Sequence, residues 1–101
     1  MVTIGKRVGP CALCHREANL TFHHLIPKKM HRRTYFKKNF PREVLNNGVD
    51  LCRLCHRSIH RLHDEMTLAK NFYTLERLQG DLAVQRHVNW VRRQKEKAVT
   101  L

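Results

Sequence analysis

From residue 18 the chain alternates. Ala18, Leu20 and Phe22 are apolar, and the residues between them, Asn19, Thr21 and His23, are polar. A period of two belongs to a strand with one buried face, and it predicts a strand over residues 18–24, closed by Pro27. The short run Val49-Asp50-Leu51 follows the turn signal Asn46-Asn47-Gly48 and predicts a second strand, pairing with residues 20–24. Beyond it the spacing becomes helical. A helix is expected within residues 52–63, and Thr67, Thr74 and Asp81 are N-cap candidates for "LAKNF", "LERLQ" and a last helix over residues 82–97. In that last helix Leu82, Val84, His87, Val88 and Val91 share a broad apolar face with Trp90 at its edge. Arg92, Arg93, Lys95 and Lys97 crowd its C-terminal end, where the helix dipole favours positive charge. Two stretches lack a period. Residues 1–10 read as a basic lead, so the structured part is expected to begin at Cys11. Residues 28–42 carry seven Lys/Arg and no acid, and read as a long basic loop with weak regular structure.

A chain of 101 residues fits one domain, here a core over 11–63 and a helical tail over 64–97. Hydrophobic burial alone stabilises so small a core marginally, and a covalent or metal staple is expected. Four cysteines offer one, in two C-x-x-C pairs: Cys11 with Cys14, and Cys52 with Cys55. The N-terminal residues form no apolar export signal and no stretch is long enough to span a membrane, so a cytoplasmic protein with no membrane partner is expected. In that reducing setting two such pairs read as a closed, structural four-cysteine site for Zn²⁺ rather than as disulfides.

The formal charge is +12. Four thiolates around one Zn²⁺ would contribute −4 + 2 = −2, leaving about +10. Such an excess suits a polyanion, with nucleic acid as the default partner. Lys28, Lys29, Arg32, Arg33, Lys37 and Lys38 in the basic loop are the phosphate-contact candidates, against the plain reading of a solvated loop. The aromatic residues Tyr35, Phe36 and Phe40 among them read as packing the loop onto the domain.

Four cysteines fill one zinc site, which leaves the histidines. His56 and His60 are four apart on the expected helix, which puts both imidazoles on one face. His23 ends the strand that pairs with residues 49–51 and can face them. Three imidazoles leave open positions on a second, catalytic metal. His24 points elsewhere and is free to act as a base. The plainer alternatives are exposed polar residues on a helix, or histidines that replace a cysteine on the zinc. His15, His31, His63 and His87 have no such spacing, although His63 is close enough in sequence to join the cluster.

"HHLIP" at 23–27, Asn47 and "LCRLCHRSIH" at 51–60 together resemble the HNH endonuclease motif in its four-cysteine zinc form. "NFYTLERLQG" at 71–80 and "HVNWVRR" at 87–93 are similar to short bacterial members with a helical tail, so the resemblance covers residues 11–93. It implies an α+β fold: a small ββα-metal domain stapled by the four-cysteine zinc site, with additional C-terminal helices. It implies a DNA phosphodiester hydrolase that leaves 5′-phosphate and 3′-hydroxyl ends on duplex DNA. By the same resemblance His24 is the general base. Asn47, also the natural turn residue of Asn-Gly, holds the base loop or orients the His24 imidazole. His23, His56 and His60 hold one catalytic divalent metal: Mg²⁺, Mn²⁺, Ni²⁺ or Zn²⁺. A monomer would nick and a homodimer could cut both strands. A non-catalytic zinc module that binds nucleic acid would explain the charge and the cysteines but not the four histidines, and a small zinc-ribbon interaction protein would need an exposed apolar patch that the sequence does not clearly show.

Overall fold

A computed structural model describes residues 7–94. It is a small α+β structure with one three-stranded antiparallel sheet in the order β1 (Arg7–Pro10), β2 (Glu17–His24), β3 (Gly48–Cys52). β3 pairs with residues 20–24 of β2 as expected, with Leu20 opposite Cys52 and His24 opposite Gly48. The lead does not precede the fold as expected. Arg7–Pro10 pairs with Glu17–Leu20, and the Arg7 guanidinium lies 3.1 Å from the Asp50 carboxylate of β3. Residues 1–6 lie outside the described part. The turn joining β1 to β2 is the first knuckle, and it closes on His15 in the left-handed region, φ 66°. The His15 amide donates to the Cys11 carbonyl at 2.9 Å and the Cys11 amide to the Arg16 carbonyl at 3.0 Å.

The basic stretch is not a loop. It holds a short 3-10 turn (Lys28–Met30), α1 (Thr34–Asn39) and α2 (Arg42–Leu45). The reason is hydrophobic. Ile26, Met30, Phe36, Leu45 and Ala69 form a second core cluster, joined by Phe40 and Tyr73. Short helices turn these few apolar residues inward and leave Arg32, Arg33, Lys37 and Lys38 in solvent. Periodicity could not announce helices of six and four residues.

α3 (Arg53–Leu62) starts directly from β3, with Cys52 as its N-cap. α4 (Glu65–Asn71), α5 (Leu75–Gly80) and α6 (Leu82–Arg92) follow. Thr74 and Asp81 cap α5 and α6 as expected, each accepting the amide three residues on. Thr67 is not the cap of α4. Asp64 is, accepting the Thr67 amide at 2.8 Å, and the helix begins one turn earlier. α6 ends at Arg92 rather than running to 97, and Lys95 and Lys97 lie outside the described residues. Val84, Val88 and Val91 face the core, but Leu82 is exposed at the helix start. The main core gathers these valines, Ile59, Leu68 and Leu78 around the four cysteines. Arg16 and Arg92 tie α6 to the first knuckle through the Val91 and Cys14 carbonyls.

β2 departs from its apolar pattern. Phe22 is 40% exposed, whereas His23 is 1% exposed. α3 covers the Thr21/His23 face of the hairpin, so at this end of β2 the polar His23 is buried and the apolar Phe22 is not, while Ala18 at the other end stays in the core. Gly48 makes this possible, since a β-carbon there would overlap the Phe22 ring and the His23 carbonyl oxygen. Gly48→Ala is expected to destabilise the domain by roughly 1–3 kcal/mol in denaturant melts. Phe22→Ala should relieve only the part due to the ring. A Gly48→Ala protein as stable as wild type would contradict the hairpin register.

Candidate metal centres

Two clusters of metal-binding side chains arise from this arrangement. The first is built by the two knuckles. Cys11 and Cys14 come from the β1–β2 turn, and Cys52 and Cys55 from the β3–α3 junction. All four are buried, and their sulfur atoms lie within 4.8 Å of one another. The knuckles are built alike. The Cys11 sulfur accepts the Leu13 and Cys14 amides at 3.4 and 3.5 Å, and the Cys52 sulfur accepts the Cys55 amide at 3.4 Å. Amides aimed at sulfur favour thiolate. A tetrahedral Zn²⁺ with bonds of about 2.3 Å requires sulfur–sulfur edges of about 3.8 Å. Cys14 and Cys52 are 3.8 Å apart. The four cysteines are therefore positioned to hold a structural metal.

Hydrogen bonds from the Cys52 and Cys55 thiols hold Cys11 far below the usual thiol range. Donating to Cys11 pushes Cys52 up to about 11 and Cys55 higher still, and burial adds to both. The cluster stabilises one thiolate by itself. Four buried thiolates need a cation among them.

The second cluster is His23, His56 and His60, whose ligand nitrogens also lie within 4.8 Å of one another. Ring centroids are 5.2 Å apart for His23–His56, 5.4 Å for His23–His60 and 5.2 Å for His56–His60. His23 lies beneath, buried and with neither ring nitrogen hydrogen-bonded. An unpaired buried polar group costs about 1–3 kcal/mol, so this imidazole needs a partner that the described side chains do not supply. Burial, then the neighbouring His56, His60 and His24, push it down to about 3, so it is neutral at ordinary pH. A neutral imidazole is the form that binds a metal.

His56 is oriented by Thr21, a residue that sequence reading passed over. The Thr21 hydroxyl donates to the Leu51 carbonyl at 3.1 Å and has spent its proton there. Its 2.7 Å contact with His56 Nδ1 is therefore an N–H donated to the hydroxyl oxygen. That fixes the tautomer and leaves the Nε2 lone pair for the cluster. The signal was present, since Thr21 lies two residues before His23 and shares its face.

No family model, curated protein or solved structure matches this chain.

The remaining candidates fall around the triad. His24 is on the other face of β2, with ring centroids 4.9 Å from Phe22 and 5.7 Å from His31. Burial, then His31 and Lys28, push its pKa below the ordinary histidine value. Asn47 has an exposed side chain, but its carbonyl accepts the Leu25 amide at 3.1 Å and so ties the β3 turn to the residue after His24. His63 does not join the cluster. It lies 3.0 Å from the Asp81 carboxylate and against the Phe72 ring. Lys28, Lys29, Arg32, Arg33, Lys37 and Lys38 are all exposed, and Lys29 is 3.6 Å from Glu65. Among the described residues no helix is long and apolar enough to cross a membrane.

Proposed function

We propose that this protein is a metal-dependent endonuclease of the HNH type that hydrolyses phosphodiester bonds of DNA. The observation that carries the reading is the converging triad of His23, His56 and His60, with a buried imidazole that has no hydrogen-bond partner, beside a second imidazole, His24, kept neutral. The four-cysteine cluster holds Zn²⁺ as a staple. The triad holds one divalent cation, and three nitrogen donors suit Ni²⁺ or Zn²⁺ better than Mg²⁺ or Mn²⁺. Such a cation supplies charge neutralisation at phosphorus and at the leaving oxygen.

The residues of the chain do the rest. Adjacent residues on a strand project to opposite sides, so a phosphodiester crossing the end of β2 meets the triad on one side and His24 on the other. Neutral His24 accepts a proton from the attacking water. Asn47 holds the turn against the strand beside it. The exposed cations of α1 and the preceding turn contact flanking phosphates.

Supercoiled plasmid, incubated with zinc-loaded protein and no added metal, Mg²⁺, Mn²⁺ or Ni²⁺, tests the proposal. Metal-dependent nicking or linearisation is expected, falling at least about tenfold in His60→Ala. No cleavage with any metal, by protein that retains its zinc and binds DNA, would sink it in favour of a zinc-stapled binding module. Thr21→Val should keep the fold and weaken metal binding at the triad about 10- to 100-fold. Thr21→Ser, which restores the hydroxyl, should recover it. Equal metal affinity in wild type and Thr21→Val, read by calorimetry, would remove Thr21 from the site.

A further inference from the structure

We propose that Arg53 and Arg57 form a phosphate-binding subsite next to the histidine triad. The inference rests on the nuclease reading for its substrate, the phosphodiester backbone of nucleic acid, and takes its residues from the structure alone.

An open hollow of about 250 Å³ lies against His56 and His60 of the triad, lined by Thr21, Arg53, His56, Arg57 and His60. No acidic side chain lines it, so it suits an anion and not another cation. The helix explains the grouping. At 100° per residue, positions 53, 56, 57 and 60 of α3 fall within an arc of about 100°. The two arginines therefore border the same hollow as the two ligand candidates that α3 carries. Both guanidinium groups are exposed, and neither has a hydrogen-bond or ion-pair partner among the described residues. In this they differ from Arg7, Arg16, Arg77 and Arg92, each of which holds a carboxylate or a carbonyl. Against the His56 and His60 rings packs His23, 1% exposed and with no partner for either ring nitrogen.

A phosphate seated here meets two planar forks of N–H donors on one side and the triad on the other. Guanidinium groups bind phosphate through paired charge-assisted hydrogen bonds, and two of them fix its orientation as well as its charge. The subsite holds the phosphate beside the triad, whereas the surface cations hold flanking phosphates.

The test uses the full chain loaded with zinc, titrated with Co²⁺ at the triad. Inorganic phosphate is the first probe, read by broadening of its ³¹P resonance. The second is a duplex oligonucleotide, read by anisotropy against salt. In Arg53→Gln/Arg57→Gln, Co²⁺ affinity should stay within about twofold of wild type, and phosphate affinity should fall about tenfold or more. The salt slope for duplex should shrink by about 0.9 for each phosphate that is no longer neutralised. Arg61→Gln removes a charge from the same helix outside the hollow, where it acts on His87. It should leave phosphate affinity unchanged. If Co²⁺ binds and the double variant holds phosphate as well as wild type, the subsite is refuted and the nuclease reading stands. If the triad takes up no Co²⁺ while phosphate binding still depends on the two arginines, the subsite stands and the nuclease reading falls. Equal losses in Arg61→Gln and Arg57→Gln would reduce the effect to general surface charge and overturn the proposal.

Discussion

Cys52→Ser is expected to leave the chain unfolded and without zinc. Cys52 has three roles at once. It ends β3, it caps α3 by accepting the Cys55 amide, and it belongs to the four-sulfur cluster at the centre of the main core. Both knuckles meet there, so the cluster ties the β1–β2 turn to the start of the helix that bears His56 and His60. A domain of this size has a total stability of about 5–15 kcal/mol, and a structural Zn²⁺ contributes about 10–16 kcal/mol to folding. Serine offers a harder and far less acidic ligand, and its hydroxyl is left among three buried sulfurs. Loss of the zinc contribution therefore exceeds what the rest of the core can offset. Far-ultraviolet circular dichroism and zinc content measure the outcome together. EDTA should do the same to wild type, reversibly on adding Zn²⁺ under reducing conditions. A Cys52→Ser protein that is helical, cooperative in melting and free of zinc would refute the structural role of the cluster.

The same cluster explains why much of the site could be read from sequence. Two C-x-x-C pairs have few uses in a chain this small, and once they are brought together the chain on either side of them is placed. His23 must then lie on a strand that pairs into Cys52, and His56 and His60 must lie one turn apart on the helix that starts there. Side chains whose positions follow from a strand or helix period were therefore legible. What was not legible depended on tertiary partners. Arg7–Pro10 has no alternation of its own and becomes a strand because β2 offers a free edge and Asp50 pairs with Arg7. The basic stretch forms helices because Phe36 and Leu45 meet Ala69 of α4, a contact between distant parts of the chain. The alternation of β2 suggested that its apolar face would be the covered one. Helix α3 lies instead on the Thr21/His23 face, and Phe22 covers the Gly48 backbone.

His24→Ala is the substitution expected to cost most in activity while costing least in structure. The imidazole is half-buried, outside the triad, and packs against the Phe22 and His31 rings. Its removal takes away no described hydrogen bond and no candidate metal ligand. Fold, zinc content, triad metal affinity and DNA binding should stay near wild type, and plasmid cleavage should fall by about 10²–10⁴-fold. The pH dependence follows from the environment of the ring. Burial acts first, then His31 and Lys28, and all three disfavour the protonated form. The base is active when neutral. Cleavage should therefore be flat above the ordinary histidine range and fall tenfold per unit only below a pKa depressed from 6.5. His31→Gln removes one of the groups that depress it, so the acid limb should move to higher pH, while His24→Ala should abolish that limb from the residual rate. Cleavage by His24→Ala within a few-fold of wild type, or an acid limb unchanged by the substitution, would show that another group takes the proton.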